Sequence, residues 1–154
     1  MKPWTAGLAF AGLSALAAAS GDVSTAKSRW YRRLKKPPFQ PPAWVFGPVW
    51  SVLYPMIAYS GYRVWKRRDA AGRGGALAWW GAQMGLNALW SRLFFKHRTP
   101  AAALLDIGLM LPSIALYVNA ARKVDKPAAW LMAPYLGWVG FASVLNEEIV
   151  RRNA

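Results

Sequence analysis

The chain of 154 residues is 55% hydrophobic and 14% aromatic but only 17% charged, where an ordinary soluble domain carries about 25%. Lys and Arg number 20 against 6 acids, a formal net charge of +14, and 10 Trp accompany a mean hydropathy of +0.13. Length allows one domain. The absence of Cys excludes a disulfide framework, a thiolate metal site and a cysteine nucleophile, and one histidine, His97, leaves no set for a histidine metal site or triad.

Charge spacing sets the class. A bilayer core of roughly 30 Å needs about 20 helical residues. The first uncharged run lies between Lys2 and Asp22 and predicts a helix over about 4–21. Lys2, the apolar run and Ala17, Ala18 and Ala19 before Ser20 also fit a cleaved secretory leader, although a single basic residue is a thin start for one. Residues 22–42 follow as a loop. Four prolines, Pro37, Pro38, Pro41 and Pro42, forbid helix and favour a stiff, extended path. Trp30, Tyr31, Phe39 and Trp44 give that path the character of a membrane interface. It reads either as a lid over one end of a bundle or as an interfacial anchor.

The second uncharged run, between Lys36 and Arg63, predicts a helix over about 43–66, and the third, between Arg73 and Arg92, one over about 75–96. At 100° per residue, Trp80, Gln83, Asn87, Trp90, Ser91 and Phe94 share one arc of this third helix, and Gly81, Gly85, Ala88 and Arg92 point the other way. Amides among aromatics are poorly suited to lipid tails, so the first face turns inward, toward either a ligand or neighbouring helices. Gly81-x-x-x-Gly85 lets another helix come close, from the same chain or a second copy.

A fourth helix is expected over about 99–121, interrupted only by Asp106, an intramembrane acid and so a candidate for either a ligand contact or a structural bond to an indole or amide. The fifth, over about 127–151, aligns Leu131, Pro134, Tyr135, Trp138, Ala142, Leu145 and Ile149 on one side. Ala142 leaves room there for a flat apolar ligand, and Pro134 is expected to kink the helix. Glu147 and Glu148 near its end stand at pairing distance from Arg151 and Arg152.

The result is an all-α, multi-pass membrane bundle of five helices in one domain, 1–154. The cations flank the apolar runs on both faces, nine against eleven, which leaves orientation unset by the positive-inside rule. Spread in this way they suit headgroups and anionic lipid; a single-strand nucleic-acid groove would gather them on one patch, so no nucleic acid is expected.

Three blocks resemble a known family. They are W-Y-R-R-L-K-K-P-P-F-Q-P-P-A-W-V-F-G-P-V-W-S-V-L-Y from Trp30 to Tyr54, W-G-A-Q-M-G-L-N-A-L-W-S-R-L-F-F from Trp80 to Phe95, and A-W-L-M-A-P-Y-L-G-W-V-G-F-A-S-V-L-N from Ala129 to Asn146. Together they look like the signature of the translocator proteins, also called tryptophan-rich sensory proteins or peripheral benzodiazepine receptors. The resemblance covers roughly residues 4 to 153. It implies a five-helix bundle, usually a homodimer, with a pocket for porphyrins, sterols or synthetic ligands closed by the first loop. By the same resemblance Tyr31, Trp50, Tyr54, Asn87, Trp90, Trp138, Ala142 and Leu145 line the pocket. Gln83 and Asp106 are possible pocket or structural residues, and Gly81 and Gly85 packing or dimer residues.

Some positions depart from the family. Glu147 and Glu148 replace aromatic residues of animal members, Ala102 replaces a Trp beside the pocket, and Arg92 stands where a proline usually kinks the third helix. These differences disfavour a sterol and suit a bacterial-type member, in a bacterial cell membrane, that binds a planar porphyrin, with Lys or Arg near the lid meeting its propionates. No cofactor or metal is required, and no His, Cys or acid–base pair supports hydrolytic or redox catalysis. Three classes follow: a receptor, sensor or transporter-like protein; a light-dependent porphyrin-degrading activity through Trp50 and Trp138; and a passive channel or scaffold.

Overall fold

The computed structural model describes residues 2–19 and 29–154, and its regular structure is entirely helical among them. In chain order these are α1 (Pro3–Ala19), α2 (Arg29–Arg33), α3 (Ala43–Lys66), α4 (Arg73–Ser91), α5 (Pro100–Val124), α6 (Lys126–Leu131) and α7 (Ala133–Asn153), with a π-helical turn at Arg92–Lys96 continuing α4. Ser20 at the leader-like junction, the last residues of the first run and the first part of the loop, including Asp22, lie outside the described residues. Two rods, Pro100–Val124 and Lys126–Asn153, are long and apolar enough to cross a membrane. The outer face of α5 carries bare Leu105 and Leu109, and Trp130 of α6 is 76% exposed; apolar side chains bared this far are at home against lipid.

Local chemistry explains where the rods begin and break. Pro100, Pro127 and Pro134 lie in the first turns of α5, α6 and α7, where a missing N–H costs nothing. The disturbance expected of Pro134 in the fifth helix takes the form of an interruption at Met132, two residues upstream. The ring of Pro134 has no N–H for the carbonyl of Trp130 and crowds it, so the helical hydrogen-bond pattern is interrupted before the proline while Met132 keeps right-handed helical dihedrals. The third helix is also interrupted, at Arg92. Without a proline there the third helix still leaves α geometry, through the π turn, in which the N–H of His97 bonds to the carbonyl of Arg92 at 2.9 Å. The α3–α4 turn ends on Gly72 at φ +82°, a conformation only glycine adopts freely.

The helices pack as a bundle: α1 against α3 and α4, α4 against α5, and α5 against α6 and α7. Polar side chains tie its interior together. The Tyr54 hydroxyl donates to Asn87 Oδ1 (2.7 Å), Asn87 Nδ2 donates to the Tyr135 hydroxyl (2.9 Å), and that hydroxyl donates to Met110 Sδ (3.6 Å), joining α3, α4, α7 and α5. Ser60 Oγ donates to the carbonyl of Ala128 (2.7 Å) and so accepts from the Tyr117 hydroxyl (2.8 Å). The Trp90 indole donates to Asn146 Oδ1 (3.0 Å), and Asn146 Nδ2 donates to the carbonyl of Pro100 (2.8 Å). The Trp80 indole donates to the carbonyl of Ile57 (3.0 Å).

Gly61 makes the closest approach. A Cβ there would stand 2.6 Å from Trp80 Nε1 and 2.8 Å from Phe10 Cδ1, whereas at Gly81 or Gly85 it would meet nothing within 4 Å. Gly61→Ala is therefore expected to lower stability by about 1–3 kcal/mol through overpacking. Within a single copy, Gly81→Ala should be neutral or stabilising by up to about 1 kcal/mol from helix propensity. Thermal unfolding of the two variants in detergent checks the contrast.

The two buried amides of α4 generate a second contrast. Asn87→Leu leaves the hydroxyls of Tyr54 and Tyr135 short of a partner and should cost about 2–4 kcal/mol. Gln83 is fully buried with neither amide atom hydrogen-bonded among the described residues, so the near-isosteric Gln83→Met should stabilise. The same unfolding assay reads the two opposite signs.

Candidate functional site

A cavity of about 530 Å³ opens at one end of the bundle, between the first half of α3, the end of α4 with its π turn, and α7. Its walls are aromatic. The rings of Trp50 and Tyr54 stack with centroids 4.9 Å apart and planes 28° from parallel, one helical turn apart on α3. Trp138 of α7 stands at 90° to Trp50, 6.5 Å away, with Phe46 edge-on at 5.7 Å. Opposite them Trp90 stacks on Phe94 at 5.3 Å and 23°. Such flat faces, offset or edge-on to one another, present the π surface that aromatic rings prefer to stack against. Ala142 and Leu145 complete the α7 side, one and two turns beyond Trp138.

The second half of the loop covers the mouth. In α2, Tyr31 is buried beside Phe95 (6.1 Å) and Trp30 lies edge-on to Phe94 (6.0 Å). Gln40 Nε2 donates to the Tyr31 hydroxyl at 2.6 Å, and the Lys36 ammonium donates to the Tyr31 carbonyl at 2.5 Å while lying 4.4 Å from the centre of that ring. Burial holds the Lys36 amine below its ordinary value. The loop is also fastened to the far end of α7: Asn153 accepts from the N–H of Lys35 and donates to its carbonyl, both at 3.0 Å. Phe39 meets Phe141 of α7 at 6.4 Å. The loop thus sits as a cover, while Trp44 at its end is 74% exposed, as an interfacial anchor would be.

Of the residues singled out from the sequence, Tyr31, Trp50, Tyr54, Trp90, Trp138, Ala142 and Leu145 surround this one cavity. Asn87 does not reach its wall. It lies behind Tyr54, 2% exposed, and its amide is taken up between the two tyrosines. Gln83 lies one turn further down α4, in the core. Asp106 is 4% exposed, and neither carboxylate oxygen has a hydrogen-bond partner among the described residues. The indoles and amides expected for Asp106 bond elsewhere: Trp90 to Asn146, Trp80 to a backbone carbonyl and Asn87 to Tyr135. Gly81 and Gly85 are exposed on the outer face of α4, and a Cβ at either would meet nothing within 4 Å among the described residues. At the end of α7 both arginines pair with Glu148, at 2.7 and 3.0 Å.

Several participants were not singled out. Gln40 lines the cavity and orients Tyr31; a lone amide in a proline-rich loop carries no periodic signal. Phe46, Phe95 and Asn146 come into place through the entry to α3, the π turn and the α7 register, none of which a plain 100° wheel foresees. Asn153 could have been flagged only by knowing that the loop folds back onto the last helix.

The TspO/MBR family profile matches residues 6–152. The chain is 35% identical to the translocator protein of Bos taurus over 155 residues, covering 98% of this chain and 92% of that protein. It is 38% identical to the tryptophan-rich protein TspO of Chlorobaculum tepidum, with 87% of each covered. It is 35% identical to the tryptophan-rich sensory protein of Cereibacter sphaeroides, covering 92% of this chain and 90% of that one. With helices of this kind and matches along nearly its whole length, the chain belongs to the TspO/MBR family of membrane helical bundles.

Proposed function

We propose that this protein is a receptor or sensor, spanning a bacterial cell membrane with five helices, that takes a flat aromatic molecule of the porphyrin class into the lidded cavity. The observation that carries this reading is the cavity's lining: two stacked pairs, Trp50–Tyr54 and Trp90–Phe94, with Trp138 perpendicular to Trp50. Its volume of about 530 Å³ falls within the roughly 300–1,000 Å³ of ordinary ligand pockets. Flat walls reward a flat ligand, because stacking scales with overlapped ring area. Arg32 and Arg33 are exposed on the lid, where guanidinium groups meet carboxylates bidentately. A sterol lacks both the planar π surface and the carboxylates, so it uses less of what the site offers. Translocator protein and tryptophan-rich sensory protein, the names borne by the relatives, agree with the general kind.

The bare Gly81–Gly85 face of α4 supports a homodimer in which a second copy packs there. The placement of Trp50 and Trp138 together on the cavity supports a second reading, light-dependent degradation of the bound porphyrin. That reading expects porphyrin bleaching under illumination that is lost in Trp138→Phe, where the receptor reading expects binding without turnover.

Ala142 faces the cavity with a single methyl group. Ala142→Trp fills that space and should weaken protoporphyrin binding at least tenfold with the helical circular dichroism unchanged. Quenching of tryptophan fluorescence by protoporphyrin in detergent measures it. Saturable quenching in the parent protein that is lost in the variant supports the site; linear or identical quenching in both overturns it.

A further inference from the structure

The opposite end of α3, about 12 Å further along the helix, holds a second and chemically different pocket. It measures about 230 Å³ and is formed by Tyr59, Tyr62, Arg63, Lys66, Arg67 and Asp125. Three cations stand there against one carboxylate. Asp125, between α5 and α6, has a side chain only 2% exposed; it meets Arg63 Nη2 at 3.2 Å and Arg67 Nε at 3.4 Å. Burial opposes its charge, but the two guanidinium groups outweigh burial and hold its carboxyl below the usual range.

The carboxylate therefore acts as a fixed post that orients two arginines. Arg63 also donates to the Tyr59 hydroxyl at 3.4 Å, and its Nε–H is buried with no acceptor among the described residues. Arg67 spends only Nε on Asp125. The Lys66 ammonium lies 5.4 Å from the centre of the Tyr62 ring and donates no hydrogen bond among the described residues. After Asp125 is neutralised the pocket keeps an excess of two positive charges, with the terminal nitrogens of Arg67, the Lys66 ammonium and two phenols as donors. Planar guanidinium forks beside an ammonium match a phosphate.

The surroundings say what carries that phosphate. Tyr59, Tyr62 and Trp65 form a ladder of near-parallel rings at 6.4 and 6.1 Å spacing, the mark of headgroup depth. From the pocket exposed Tyr59, Pro55 and Val52 run back along α3, Pro55 bordering the first cavity. A headgroup held in the pocket would lay its acyl chains along that stripe. We propose that this pocket is a binding site for the phosphate of an anionic phospholipid, held by Arg63, Lys66 and Arg67 at the end of α3. The site needs only the membrane placement of the bundle and is independent of the porphyrin reading.

Native mass spectrometry of the full chain, released from detergent with dioleoyl-phosphatidylglycerol or dioleoyl-phosphatidylcholine, tests it. The expected result is one tightly held phosphatidylglycerol per chain, preferred over phosphatidylcholine. Lys66→Gln with Arg67→Gln should weaken it roughly 10- to 30-fold, and Lys66→Gln alone, which leaves Asp125 with both arginines, roughly fivefold. Arg122→Gln with Lys123→Gln removes two exposed cations from the end of α5 at the same face and should change retention less than twofold. An equal loss in the Arg122/Lys123 pair means diffuse surface attraction and overturns the site. If inorganic phosphate displaces the lipid at concentrations where chloride does not, the anion pocket stands; if it raises the thermal midpoint as much without lipid as phosphatidylglycerol does, the lipid assignment falls.

Discussion

In an apolar bundle the costliest error is a polar group without a partner, since neither water nor lipid supplies one. The Tyr54–Asn87–Tyr135–Met110 relay answers that constraint where α3, α4, α5 and α7 meet. Each donor finds one acceptor in sequence, so the amide of Asn87 has one favoured orientation and the tyrosines have fixed rotamers. Tyr54 is also half of the ring pair that walls the cavity, and Tyr135 lies 6.2 Å edge-on to Trp50. The relay is thus the floor on which the aromatic surface of the cavity rests. A network satisfied from end to end holds a shape that apolar contact alone leaves loose.

The rest of the site follows from what is stacked above that floor. Trp90 is held by Asn146, and the π turn after it rotates Phe94 and Phe95 to the side where α2 docks. A regular α-helix through residues 92–96 would send one of the two rings elsewhere. The lid is then fixed at Tyr31, at Asn153 and at Phe39. Among the described residues the lid adds the paired Lys35–Asn153 hydrogen bonds to α7 to the polar ties of the bundle.

Much of this was legible in the sequence because charge spacing and ring-and-amide periodicity are strong signals. The inward face of Trp80, Gln83, Asn87, Trp90 and Phe94 and the small Ala142 within the α7 stripe are direct consequences of helical geometry. Family blocks added Trp50, Tyr54 and Tyr31, which no period singles out. What escaped reading depends on departures from the regular helix and on contacts distant in sequence. The break at Met132, the π turn after Ser91 and the amide clamp between Asn153 and Lys35 are of this kind. Gly61 escaped for another reason: its need to stay small is set by Trp80 and Phe10 on two other helices. Gln83 and Asp106, buried without partners among the described residues, show that polarity on an inward face does not by itself tell a tie from a spare group.

The central claim is that the aromatic cavity above the Asn87 relay holds one planar ligand in one orientation. Circular dichroism in the visible absorption band of added protoporphyrin tests this directly, because an achiral dye gains a signal only when held asymmetrically by the protein. The account predicts an induced band that saturates at one protoporphyrin per chain. A band that is absent, or that grows without saturating as dye is added, would contradict it.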